Sequence, residues 1–307
     1  MNILGKRYIF FVISLLAIIP GMIILATGGG LPLSIDFTGG SLLEVKFESG
    51  IAPSTEEVIA LYNDLGYGDV QIKTTTGQDI LIIQSAKLED EQQVEIVDAM
   101  EAEFSDTVTV LLFDNVSSAI GQEVTSRAFL AVAVAALGVI IYMTFAFRGV
   151  QHAFRYGVCA ILAMIHDVLI VLSLSAIGGK LWGWQFDSLA LTALLTVIGF
   201  SVQDKIVVFD RMRENRGIYR KLDFEILANH SIVQSLGRSI NTQLMTSEFM
   251  LLAVALFGGL TLREFAILLL VGLFSGTYSS IFIAAPILVI WEKKEWKTWF
   301  KKNKATA

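Results

Sequence analysis

The chain has 307 residues, of which 54% are apolar and only 17% charged, with a formal charge of −6 and a mean hydropathy of +0.64. A soluble domain carries about 25% charged residues, so this is the composition of a membrane protein. The acidic balance argues against nucleic acid as a partner, and the lone cysteine, Cys159, lies in an apolar run and leaves no disulfide to brace any domain.

Six apolar runs meet or approach the length of about 18 residues that a spanning helix needs: Tyr8–Ala26, Arg127–Phe147, Tyr156–Ile177, Ser188–Phe209, Arg238–Phe257 and Arg263–Ile290. The first is longer than the apolar core of a cleaved signal, about 7–15 residues, and is expected to be a retained anchor. Between the first and second runs lies a polar segment from Gly28 to Ser126. It alternates strand-like and helix-like patterns. Ser41–Phe47 alternates as a half-buried strand does, and Ser54 with Glu57 reads as a capping box opening a helix that ends near Leu65. Val70–Thr74 and Ile80–Gln84 read as a hairpin turning at 76–79. Asp90–Phe104 reads as a helix with Val94, Val97 and Met100 or Glu101 on one face, and Val108–Phe113 as a last strand. The order β-α-β-β-α-β predicts a ferredoxin-like α+β domain.

Lys and Arg set the orientation. They gather before the first run (Lys6, Arg7), after the second (Arg148, Arg155), after the fourth (Arg211, Arg213, Arg216, Arg220, Lys221) and in the tail from Lys293. If each run crosses once, all four segments share one side, which makes both termini cytoplasmic and places the segment 28–126 outside. That segment holds eighteen Asp and Glu against Lys46, Lys73 and Lys87. The expected division is therefore a first transmembrane helix over 1–27, an external ferredoxin-like domain over 28–126, the five-helix remainder over 127–290 and a basic tail over 291–307.

Asp204 lies inside the fourth apolar run, where an ionisable side chain costs about 2.5–3.5 kcal/mol on insertion scales. Such residues face bundle interiors, pair with an opposite charge or carry ions. The best opposite charge is Arg238, at the start of the fifth run, and antiparallel packing would bring the two to similar depth. A structural salt bridge is the bland alternative, but buried pairs stabilise poorly relative to apolar packing. Lys205, about 100° further round the same helix, would snorkel or touch Asp204 directly. In the third run His166 and Asp167 lie half-way across. Asp167 is the better relay candidate, and His166 is as readily a packing residue. Glu248, about 15 Å beyond Arg238 along the fifth helix, is a further possible modifier. The three histidines, at 152, 166 and 230, are too scattered for a metal centre, no cofactor motif is present, and no nucleophile–base pair suggests an enzyme.

Several motifs together resemble the SecF family, the smaller membrane subunit of the SecDF protein-export complex in the resistance-nodulation-division superfamily. They are Ile35-Asp-Phe-Thr-Gly-Gly40, Ile165-His-Asp-Val168, Ile198-Gly-Phe-Ser-Val-Gln-Asp204, Phe209-Asp-Arg-Met-Arg-Glu-Asn215 and Arg238-Ser-Ile-Asn-Thr242. The resemblance implies a multi-pass protein of the cytoplasmic membrane that works after the SecYEG translocon. It would act with a SecD-like subunit, using protons to help draw unfolded exported chains outward. It also implies that Asp204 and Arg238 serve proton transport, and that Asp36, Gly39 and Gly40 form a family motif at the domain base. Two departures stand out. The family commonly has Thr where this chain has Lys205, and Ser-Leu-Thr-Thr where this chain continues Gln-Leu-Met-Thr into Ser-Glu248. Rival readings are a purely structural translocon subunit, or half of a small-molecule or lipid exporter of the same superfamily.

Overall fold

The structure is a computed structural model that describes residues 2–28, 30–68, 70–74, 79–148, 153–243, 249–258 and 260–295. Its helices are α1 (Arg7–Thr27), α2 (Ile35–Thr38), α3 (Thr55–Asp64), α4 (Asp90–Phe104), α5 (Ser118–Ala146), α6 (Ala153–Trp182), α7 (Ser188–Ile218), α8 (Phe224–Gln243), α9 (Phe249–Phe257), α10 (Leu260–Ser279) and α11 (Ala285–Lys293). The strands are β1 (Gly40–Phe47), β2 (Gln71–Thr74), β3 (Ile80–Ser85) and β4 (Val108–Val116). They fall into two compact units. One comprises Met1–Gly30, Ala131–Ile177 and Leu189–Ala307, the other Leu31–Leu130 and Gly178–Ser188.

The second unit is built on an antiparallel sheet of order β2-β3-β1-β4. Alternation along β1 sends Leu43, Val45 and Phe47 into the core, where Leu81 and Ile83 of β3 join them. Val58 and Tyr62 of α3 and Ile96 and Met100 of α4 complete it. The capping box of α3 forms as expected: Ser54 accepts from the Glu57 N–H, and the Glu57 carboxylate accepts from the Ser54 N–H. The buried face of α4 is largely the expected one: Met100 is buried and Val97 packs against the core, but Ile96, four residues before Met100, joins it and Val94 is exposed. The expected hairpin strands pair antiparallel, and their turn at 76–79 lies largely outside the described residues. The segment 178–188 belongs to this unit: the Ser34 N–H donates to the Phe186 carbonyl at 3.1 Å, and the Phe186 N–H donates to the Pro32 carbonyl at 2.7 Å.

The first unit is helical. Among the described residues five helices are long and apolar enough to cross a membrane: Leu4–Thr27, Ser118–Ala146, Phe154–Trp182, Ser188–Ile218 and Leu262–Lys293. The last runs through a π-helical turn at Ser280–Ala284. The remaining apolar run, 238–257, is represented by the end of α8 and by α9, and residues 244–248 between them lie outside the described residues.

Helix ends are where the structure corrects the sequence boundaries. α5 starts at Ser118 rather than Arg127, α7 continues to Ile218 rather than Phe209, and α8 starts at Phe224 rather than Arg238. In each case a polar helical stretch adjoins an apolar one, and an apolar window sees only the second. At the basic end of the unit, Arg7 pairs with Glu225 at 2.8 Å and Glu295 at 2.7 Å, and Lys293 pairs with Glu225 at 2.6 Å. Arg155 pairs with Glu292 at 2.7 Å. These contacts join the first and last spanning helices to the start of α8, and α6 to α11.

Candidate functional site

The site is assembled from α6, α7, α8 and α10, and α10 approaches closely because it lacks side chains at two points. A Cβ on Gly272 would sit 2.3 Å from Val197 of α7, and one on Gly276 would sit 3.2 Å from the Ser201 Cα. This Gly-x-x-x-Gly spacing is the usual way that membrane helices bring backbones together. It places Ser275 and Ser279, one helical turn apart on one face, against the middle of α6.

There they meet Asp167, whose residue is wholly buried. Its Oδ1 accepts from the Ser275 hydroxyl at 2.7 Å. Its Oδ2 accepts from Ser279 at 2.7 Å, from Ser201 at 2.5 Å and from the Lys205 ammonium at 2.8 Å. Lys205 is 0% exposed. It also donates to the Ser201 carbonyl at 3.2 Å and to the Ser201 hydroxyl, so its three N–H groups have three acceptors. His166 lies beside the cluster, its Nδ1 3.1 Å from Asp167 Oδ1. An ionised carboxylate only accepts, so Nδ1 carries the proton. The buried Nε2 has no partner among the described residues, and the ring stacks on Tyr278 at 6.2 Å.

Asp204, 8% exposed, faces the other way, toward α8. Its Oδ1 accepts from the Ser239 hydroxyl at 2.7 Å, while its Oδ2 is buried without a hydrogen-bond partner among the described residues. The expected direct pair with Arg238 is not formed: Arg238 is exposed on α8, one position before Ser239. Contact between Lys205 and Asp204 is not seen either. Successive residues diverge by about 100°, so the two neighbours serve different helices. Among the described residues, the charge pair that the bundle fully buries is Asp167 with Lys205. Glu248 lies outside the described residues.

In the other unit Asp36 accepts from the backbone N–H of Ser188 at 2.8 Å and from its hydroxyl at 2.6 Å, at the first residue of α7. Gly39 and Gly40 follow with positive φ, 75° and 121°. A Cβ at Gly39 would lie 2.7 Å from the Ser118 backbone, and one at Gly40 would lie 2.5 Å from the Ser85 carbonyl. Only glycine suits both the dihedrals and the space.

Ser201 shares a helix face with Asp204 in the sequence, but Ser239, Ser275 and Ser279 carry no charge to draw notice. The signal available for the last two is their four-residue spacing interleaved with Gly272 and Gly276. Among the described residues no group of three or more His, Cys, Asp or Glu is placed to hold a metal.

The family described as "Protein export membrane protein SecD/SecF, C-terminal" matches residues 96–294, and the "SecD/SecF GG Motif" matches residues 24–51, which include Asp36, Gly39 and Gly40. The chain belongs to the SecD/SecF family. A protein translocase subunit SecF from Anaerolinea thermophila is 69% identical over 99% of this chain and 98% of its own length. One from Thermobaculum terrenum is 42% identical over 100% of this chain and 99% of its own. The crystal structure of SecDF from Thermus thermophilus, a translocon-associated membrane protein, matches with a TM-score of 0.83 at 32% identity. That match covers 95% of this chain but 39% of the SecDF chain, so this chain corresponds to one part of the longer protein.

Proposed function

We propose that this chain is a SecF-type subunit that works with a SecD-like subunit and the SecYEG translocon, using the proton motive force to assist movement of unfolded polypeptides across the cytoplasmic membrane. Membership of the SecD/SecF family and its translocase relatives supports the role in translocation. The proposed topology has six transmembrane helices, with the fifth formed by the end of α8 and α9. Both termini are cytoplasmic, and the region 28–126 is external and ferredoxin-like. The sheet order β2-β3-β1-β4, with α3 and α4 contributing to its core, supports that fold.

The observation that carries the mechanism is the buried Oδ2 of Asp204, which has no hydrogen-bond partner among the described residues. A lone acceptor in a low-dielectric span is costly when ionised, and it is relieved either by a proton or by an arriving cation. Arg238 is that cation. It precedes Ser239 on α8, so a rotation of that helix by about 100° replaces the hydroxyl with the guanidinium. Asp204 is thus protonated when it faces Ser239 and ionised when it faces Arg238. Each proton crossing supplies about 2.3 kcal/mol per 100 mV of membrane potential to drive the exchange. Asp167, one helix away, is paired with Lys205 and so adds no net charge beside the relay.

The test is proton flux out of the lumen of inverted vesicles that hold this chain with its SecD-like partner while an unfolded substrate is exported into that lumen. Asp204→Asn is expected to abolish export-coupled flux while the two subunits still copurify. Flux unchanged in that variant overturns the relay and leaves a structural subunit.

A further inference from the structure

We propose that Lys205 is an ion-specificity residue: its ammonium fills, from inside the protein, an oxygen cage of sodium-binding type centred on Asp167, and so keeps inorganic cations out of the bundle. This rests on the relay reading of the neighbouring Asp204, because it explains why that relay is left to protons.

Six oxygens cluster at Asp167: its own two carboxylate oxygens, the Ser201 hydroxyl and carbonyl, which with Oδ2 surround the Lys205 ammonium, and the Ser275 and Ser279 hydroxyls, which hold the carboxylate. The cluster offers hard donors only, the set that suits a small alkali or alkaline-earth cation rather than a transition metal. The site has a single negative charge, which matches a monovalent ion. It also sits where the backbone departs from regular helix. The π-helical turn at Ser280–Ala284 follows Ser279 directly, and such turns in otherwise regular helices frequently mark functional positions.

Lys205 occupies that site as a cation would. Its ammonium contacts three of these oxygens, Asp167 Oδ2 and the carbonyl and hydroxyl of Ser201, so each of its three N–H groups has an acceptor. Its charge cancels that of Asp167, and a second cation beside it would leave a net positive charge in a low-dielectric interior. Space is equally short, since α10 lies against α7 at Gly276 with no Cβ between them. If the ammonium is removed, the carboxylate and its three serines remain in place on three helices. The hydroxyls, free to rotate, can turn a lone pair toward an incoming ion.

The experiment is equilibrium binding of radiolabelled sodium to the purified full chain in detergent, with choline chloride balancing ionic strength. Wild type is expected to show no saturable binding. Lys205→Ala is expected to bind sodium saturably, and adding Asp167→Asn to that variant is expected to weaken binding by about tenfold or more. Wild-type binding equal to that of the variant, or a folded Lys205→Ala protein that binds no sodium, overturns the proposal. Because Lys205→Ala leaves a buried carboxylate unpaired, Lys205→Gln, which keeps a neutral donor, is measured beside it by thermal unfolding. Its Tm is expected to rise with sodium chloride and not with choline chloride. An equal rise in both salts, or in neither, overturns the proposal. No export is in progress in these measurements, so their failure is distinct from a failure of proton flux at Asp204.

Discussion

At Asp204 the two carboxylate oxygens have different surroundings, and the difference is one hydroxyl. Ser239 satisfies Oδ1, and nothing among the described residues satisfies Oδ2. Asp204 is neutral in this pairing, and an ordinary hydrogen bond contributes about 0.5–1.5 kcal/mol, so Ser239→Ala is expected to cut export-coupled proton flux by roughly two- to tenfold. Ser239→Thr, which restores the hydroxyl, should recover most of it. Equal flux in Ser239→Ala and wild type would show that Ser239 is not the donor in the working cycle. Arg238→Lys keeps the charge but loses the planar fork, and should retain only part of the flux that Arg238→Gln abolishes. The acid in the middle of an apolar run was legible from hydropathy alone as a residue that needs a polar partner inside the bundle. Its partner in this structure was not, because Ser239 differs from any other helix serine only in what stands opposite it.

Helices and turns show the same division between local and distant information. The capping box at Ser54 and Glu57 and the span of α4 are written in adjacent residues, and both appear where the sequence puts them. The pairing of Asp167 with Lys205 joins α6 to α7 and depends on serines over a hundred residues from Asp167, so no local pattern announces it. The start of α8 was hidden for another reason. Its first half is amphipathic, so that an apolar window places Arg238 near the start of a run when it lies well inside the helix. The glycine pair at the end of α2 makes the prediction that belongs at this scale. Gly39→Ala and Gly40→Ala each force a side chain into positive φ and against backbone atoms, at a cost of more than about 1 kcal/mol. Both variants are expected to lower the unfolding temperature of the purified chain. A Tm unchanged in both would show that the local backbone can rearrange around them.

At the scale of the whole molecule the distribution of charge decides orientation, and it also sets how the basic end of the helical unit responds to pH. The Lys293 hydrogen bond, with Arg7 adding to it, holds the Glu225 carboxyl below its ordinary value near 4.5. A carboxyl lowered on folding contributes stability that is present above its unfolded value and is lost as pH falls through the folded one. Acidification below 4.5 is therefore expected to loosen the start of α8, seen as faster amide exchange at 224–230, and Glu225→Gln should reduce that dependence, leaving the part due to Asp223, whose carboxyl is lowered at the same helix start by the Glu225 N–H and Lys293. Orientation itself is testable by labelling. With Cys159 replaced by serine, a cysteine at the exposed Glu103 should react with a membrane-impermeant maleimide from outside intact cells. One at the exposed Lys221, in the basic segment after α7, should react only after permeabilisation. The reverse pattern would place the acidic domain inside, against the distribution of Lys and Arg. It would also separate that domain from chains emerging on the far side of the membrane, so the proposed role in export depends on this outcome as directly as it does on Asp204.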